Sequence, residues 1–217
     1  MAELRTDEEQ VEAIKQWWKN NGSSLMIGIG AALAIVFGWQ AWQNQQAEQR
    51  TEAASQFVTL MNAFGTEDET SADTIAFVAK TLRDDHADSA YAVYANLMLA
   101  RVQLMQNNDA EGAVESLQWA LDKAVETQPL ALVVRSRLAQ AQMALEDYDS
   151  ALATIDGAKD SDAFGARFAE LRGDILLAKG DQAGARDAYL AAREQGEENR
   201  NGVLQLKLAD LGVGGDA

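Results

Sequence analysis

Two hydrophobic patterns divide the chain. No charged residue occurs between Lys19 and Glu48, and inside that window Leu25 to Trp42 reads LMIGIGAALAIVFGWQAW, apolar on every side. At a rise of about 1.5 Å per residue, the run and its uncharged flanks span the roughly 30 Å hydrocarbon core of a bilayer. Trp17 and Trp18 stand at one end and Trp39 and Trp42 at the other. Along a helix the two pairs lie about 31 Å apart, which suits indoles held at two headgroup levels. From Glu48 onward apolar positions recur at helical spacing instead, and the breaks are polar turns rather than strand-forming runs. The expectation is an all-α chain with a cytoplasmic amphipathic tail (1–22), a transmembrane helix (23–43) and a helical domain (44–217).

A cleaved signal peptide is the alternative for the apolar run. Its core would be shorter, about 7–15 residues, and small residues would follow it directly. Here Trp39 and Trp42 occupy that region and some twenty residues precede the run, so a retained anchor is expected. Lys15 and Lys19 lie just before the span, while Glu48 and a lone Arg50 follow it. Basic residues set topology and acids count little, so the N-terminus is expected in the cytoplasm. Within the span Gly30, Ala34 and Gly38 recur every fourth residue. Such a stripe lets a second helix approach closely, although small residues are also common in membrane helices generally.

In the tail, Thr6-Asp7-Glu8-Glu9 carries a helix-start signal, a Thr cap with Glu three positions on. Val11, Ile14, Trp17 and Trp18 then share one face, and Asn20-Asn21-Gly22 predicts a stop. The expectation is a helix on the membrane surface leading into the span, with a docking site for a cytosolic partner as the alternative.

Self-comparison of the remainder uncovers a repeat. Asp147-Tyr148-Asp149-Ser150-Ala151, Ile155 and Ala158 align with Asp181-Gln182-Ala183-Gly184-Ala185, Tyr189 and Ala192 at an offset of 34. Asp109, Ala113, Leu117 and Ala120 form a third copy, 38 residues upstream. Before each copy lies a helix with a small residue at its packing point: Ala100, Ala139 and Gly173. A period of 34 with small, large and small residues spaced by four and three is the tetratricopeptide pattern, two antiparallel helices whose axes approach over alanine. The chain is therefore expected to fold as a single transmembrane helix followed by a tetratricopeptide-like solenoid. Residues 48–64, 71–84 and 200–211 should supply capping helices.

Such a stack binds partners along its first helices. The turn-spaced positions expected to face the groove are Tyr94, Leu97, Arg101 and Leu104, then Val133, Ser136, Gln140 and Met143, and in the last repeat Arg167, Glu170 and Asp174. Helical spacing alone does not separate the groove from the core.

Composition narrows the chemistry. With 34 acids against 18 bases, a net charge of −16, no basic face for a nucleic-acid duplex is expected. The absence of cysteine removes disulfide scaffolds, zinc ribbons, thiol catalysis and iron–sulfur clusters. A single histidine, His86, leaves few metal or triad constellations. Asp84-Asp85-His86-Ala87-Asp88 has oxygen ligands but lacks the spaced loop and glycine turn of a calcium site, so a helix junction with Asp88 as N-cap is expected. Glu67-Asp68-Glu69 reads as a solvated turn. No catalytic residue, metal site or cofactor is predicted.

Two stretches give the chain a resemblance. One is Glu12-Ala13-Ile14-Lys15-Gln16-Trp17-Trp18-Lys19 with Gly22, Gly28, Gly38, Trp39 and Trp42. The other is Leu171-Arg172-Gly173-Asp174, Lys179-Gly180-Asp181 and Ala185-Arg186-Asp187-Ala188-Tyr189. On these the chain resembles the ancillary SecYEG translocon subunits of Gram-negative bacteria, the YfgM-like proteins. The resemblance implies a single-pass, type II protein of the cell inner membrane with its repeats in the periplasm. It implies association with the SecYEG channel and the periplasmic chaperone PpiD, and a role in passing newly translocated chains, among them unfolded periplasmic or outer-membrane clients, to periplasmic chaperones. A membrane-anchored envelope scaffold and a regulator acting through the cytosolic tail are the competing readings.

Overall fold

The computed structural model describes residues 7–65, 69–124, 129–158, 164–196 and 202–213. Among them are nine α-helices and no strand. Thr6, Glu67, Asp68 and the first residues of the expected 200–211 helix lie outside the described residues.

The chain divides into a first unit ending at Thr51 and a second beginning at Glu52. The helix α1 runs without a break from Asp7 to Phe64. The stop expected at Asn20-Asn21-Gly22 is therefore absent. Asn21 turns its side chain back on the helix, its Nδ2 donating to the Trp17 carbonyl at 3.0 Å. Gly22 is buried under the Trp18 indole, where a Cβ would stand 3.2 Å from the ring. The cost of one glycine, about 1 kcal/mol, is small beside the helical run on either side. Within the first unit the apolar stretch of α1 is long enough to cross a membrane and is almost wholly exposed.

The second unit is a stack of helix pairs. The end of α1 and α2 (Glu69–Asp85) precede three pairs: α3 (Ala90–Met105) with α4 (Ala110–Lys123), α5 (Pro129–Ala144) with α6 (Tyr148–Asp156), and α7 (Gly165–Ala178) with α8 (Gln182–Gln195). The last helix, α9 (Gly202–Asp210), packs on α8. From α2 onward each helix touches the next, and α3 touches α5 as α5 touches α7, so the first helices lie side by side on one face. Pro129 opens α5, where its missing N–H breaks no helical hydrogen bond.

The three pairs share one construction. In each, a residue with positive φ (Asn108, Glu146 or Gly180) reverses the chain. An aspartate N-cap follows at once: Asp109, Asp147 or Asp181. The Gly112, Ser150 and Gly184 amides donate to those carboxylates at 2.8, 3.2 and 2.9 Å. Cap and turn together satisfy donors that the helix start leaves open. Ala100, Ala139 and Gly173 are buried, and so are Leu117, Ile155 and Tyr189 on the second helices. The junction after Asp85 is capped by Ser89 rather than by the expected Asp88. The Ser89 hydroxyl accepts from the Tyr91 amide, and Asp88 pairs with Lys123 at 3.2 Å instead. Ser89 stands next to the first helical residue, so its short side chain reaches the amide two positions on.

Two substitutions probe this construction. A Cβ on Gly173 would come within 2.3 Å of the Tyr189 ring, so Gly173→Ala is expected to destabilise the second unit by about 1–3 kcal/mol. Glu146 holds φ 59° and Asn108 φ 51°, and asparagine tolerates that region better. Glu146→Gly is therefore expected to stabilise by about 0.5–1 kcal/mol and Asn108→Gly by less. Urea unfolding of the three variants beside the parent measures both effects.

Candidate partner-binding surface

In the first unit every residue of the expected interface belts is exposed. Trp17, Trp18, Trp39 and Trp42 project from α1, and the last two rings meet with centroids 5.0 Å apart. Gly30, Ala34 and Gly38 are exposed as well, and a Cβ on either glycine would meet nothing within 4 Å.

In the second unit, α3 and α5 border a cavity of about 580 Å³. Six of the expected groove positions line it: Tyr94, Leu97, Arg101, Leu104, Val133 and Gln140. The structure adds Phe64 from α1, Met98 and Met105 from α3, Leu117 from α4 and Arg137 from α5. The Arg101 guanidinium lies 5.0 Å from the Phe64 ring centroid, and Arg137 donates to Gln140 Oε1 at 2.9 Å. An arginine over an aromatic face keeps its charge and its donors.

Two expected groove positions lie elsewhere. Ser136 is only 6% exposed, and Met143 packs against the core formed by Ala139, Ala151, Ile155 and Phe168. On α5 the cavity is lined at 133, 137 and 140. Ser136 is one step off that register, about 100° around the helix. Arg137 was legible as the i+4 neighbour of Val133, and the choice between 136 and 137 required the partner helices.

The last repeat differs again. Arg167 is exposed and pairs with Glu170 at 3.6 Å. Glu170 and Asp174 turn to α9, where Lys207 Nζ donates to Glu170 Oε1 at 2.8 Å and to both Asp174 oxygens at 2.6 and 2.9 Å. The Tyr189 hydroxyl donates to Asp174 Oδ1 at 2.8 Å, and Lys207 stands 5.5 Å from the Tyr189 ring centroid. Burial works against the Lys207 ammonium, but its hydrogen bonds to Asp174 and Glu170 outweigh burial and hold its pKa above the ordinary lysine value. Burial, then the hydrogen bond to Asp174, raises the Tyr189 phenol. No sequence signal singled out Lys207, because its partners lie 37 and 33 residues upstream.

Among the described residues no group of three or more His, Asp and Glu is placed to hold a metal ion. His86 sits at the α2–α3 junction with Nε2 4.0 Å from Glu52 Oε2.

Antiparallel pairs with Asp-capped second helices, following a helix long and apolar enough to cross a membrane, define a helical-repeat protein of the tetratricopeptide class. A family model described as a tetratricopeptide repeat-like domain matches residues 15–213. The "Ancillary SecYEG translocon subunit" of Haemophilus influenzae is 31% identical over 211 residues, covering 97% of this chain and all of the relative. The Escherichia coli protein of the same name is 31% identical over 208 residues, 95% of this chain and 97% of the relative. The Neisseria gonorrhoeae one is 27% identical over 215 residues, 97% of this chain and all of the relative. No solved structure matches the chain. The chain belongs to the family of ancillary SecYEG translocon subunits.

The Lys207 tie sets a pH dependence. Both raised pKa values belong to groups that favour the folded state while protonated. Their contribution is complete below the free-side-chain values, 10.0 for tyrosine and 10.5 for lysine, and is lost as pH rises through the raised ones. The Tm is expected to fall steeply above about pH 10. Lys207→Met is expected to start from a lower Tm at pH 8 and to show a flatter decline, both read by circular dichroism.

Proposed function

We propose that this chain is a non-catalytic ancillary subunit of the SecYEG translocon. Residues 23–43 anchor it in the inner membrane, its N-terminus lies in the cytoplasm and residues 44–217 form a periplasmic domain. That domain binds partners through the groove bordered by α3 and α5, with PpiD and unfolded periplasmic or outer-membrane clients as the partners. Through them it helps pass newly translocated proteins to periplasmic chaperones. The Glu170 and Asp174 positions contribute by holding α9 in place, and Gly30, Ala34 and Gly38 form the packing face of the membrane helix.

The observation that carries this reading is the likeness along almost the whole chain to proteins named for that complex. The exposed apolar stretch of α1 supports anchoring. The apolar groove supports binding rather than catalysis, because its lining offers no nucleophile paired with a base.

Mild-detergent affinity purification of the full-length chain is expected to recover channel subunits together with a periplasmic chaperone. Recovery of neither would shift the function to an envelope scaffold. Orientation has its own test, helped by the lack of native cysteine. A membrane-impermeant maleimide is expected to label Asp187→Cys in spheroplasts and Glu8→Cys only after lysis; the reverse pattern would invert the topology.

A further inference from the structure

The groove bordered by α3 and α5 carries a charge pattern at odds with the rest of the chain. From Glu48 to Ala217 there are 29 acids and 15 bases, and most cations elsewhere in the repeats are met by carboxylates, Arg135 instead donating to the Thr154 carbonyl. Arg83 pairs with Glu115, Arg172 with Asp156, Lys179 with Asp149 and Lys207 with two acids. Arg101 and Arg137, both at the cavity, have no carboxylate partner among the described residues; one lies over Phe64 and the other bonds a neutral glutamine. In a chain with so large an acid excess, two such arginines facing one apolar cavity leave a place for a carboxylate from outside.

The apolar surface around them is elongated. On α3 it begins at Tyr91, whose ring lies 5.3 Å from Phe57, continues through Tyr94 and Leu97, and ends at Met105, which is 79% exposed. From Tyr91 to Met105 the helix rises about 21 Å. A track of that length suits a helical segment of about four turns better than a single small molecule, which would leave Met105 uncovered.

We infer that this groove binds an amphipathic helical segment of a partner protein that carries an acidic side chain in the middle of its apolar face, and that Arg101 and Arg137 receive that carboxylate. The inference rests on the partner-binding reading of the repeats and gives that partner its chemistry. The apolar track supplies area, and the arginine pair supplies choice between partners.

The test uses the full-length chain in detergent and three fluorescent 18-residue helical peptides. They share one leucine-rich face and differ only at its centre, which is Glu, Gln or Lys. The Glu peptide is expected to bind about tenfold or more tightly than the Gln peptide, with the Lys peptide weakest and the preference reduced by salt. In Arg101→Gln/Arg137→Gln the preference should vanish while binding of the Gln peptide persists, and in Arg101→Glu/Arg137→Glu the order should invert. Thermal melts of both variants establish that they are folded. Equal affinities for the three peptides, or a preference that survives in the glutamine variant, would overturn the inference. So would binding of oleate at the groove with no peptide binding, since the occupant would then be a lipid carboxylate. Channel subunits recovered by the unsubstituted chain separate the two readings: recovery that persists while that chain binds the three peptides equally removes the acidic-helix chemistry and leaves the translocon role standing.

Discussion

The second unit depends on how closely its paired helices approach. Gly173 shows the limit: the Tyr189 ring occupies the space where any side chain would begin. Ala100 and Ala139 hold the equivalent place in the other pairs, in cores that also contain Leu117 and Ile155. Once the axes are that close, the connection has to be short, and an Asp cap following a residue at positive φ turns the chain within a few positions. The side-by-side placement of α3, α5 and α7 follows from repeating this unit. The groove is therefore a by-product of packing, and its chemistry is free to vary at the positions that packing does not use.

That division explains what could be read from the sequence. The repeats were legible because alanine, aspartate and large apolar residues recur at fixed spacing, and the pairs they mark were found at α3–α4, α5–α6 and α7–α8. The groove was legible in outline, since a face recurs every three or four residues, but α5 shows the limit of that reasoning. Ser136 and Arg137 are adjacent, each satisfies a helical spacing from Val133, and only the surrounding helices decide which one meets the cavity. Phe64 was outside any repeat, so no period could place it beside Arg101. Lys207 belongs to the same category, a single long-range contact without a periodic signature.

Local signals failed where context outweighed them. Asn20-Asn21-Gly22 has the composition of a helix stop, yet Asn21 bonds back to Trp17 and Trp18 covers Gly22. Asp88 has the right chemistry for an N-cap but stands one residue too early, and Ser89 takes the position while Asp88 pairs across to α4. In both cases the residue type was informative and the geometry of its neighbours settled its use.

The tie between Lys207 and the two acids of α7 has a further consequence. In a stack whose members touch only their neighbours, stability is a chain of links. Links inside this stack join apolar cores and carry ion pairs at their exposed rims, Arg83–Glu115, Arg172–Asp156 and Lys179–Asp149, whereas the one that fastens α9 adds an ionic contact that is less exposed. Salts of the sulfate type strengthen the apolar cores by exclusion from the surface, while any added salt screens each ion pair in proportion to its exposure. Added salt therefore weakens the rim pairs between the repeats before it reaches the Lys207 tie, so that α9 keeps its fastening to α7 at ionic strengths that have already removed the ionic clips of the interior.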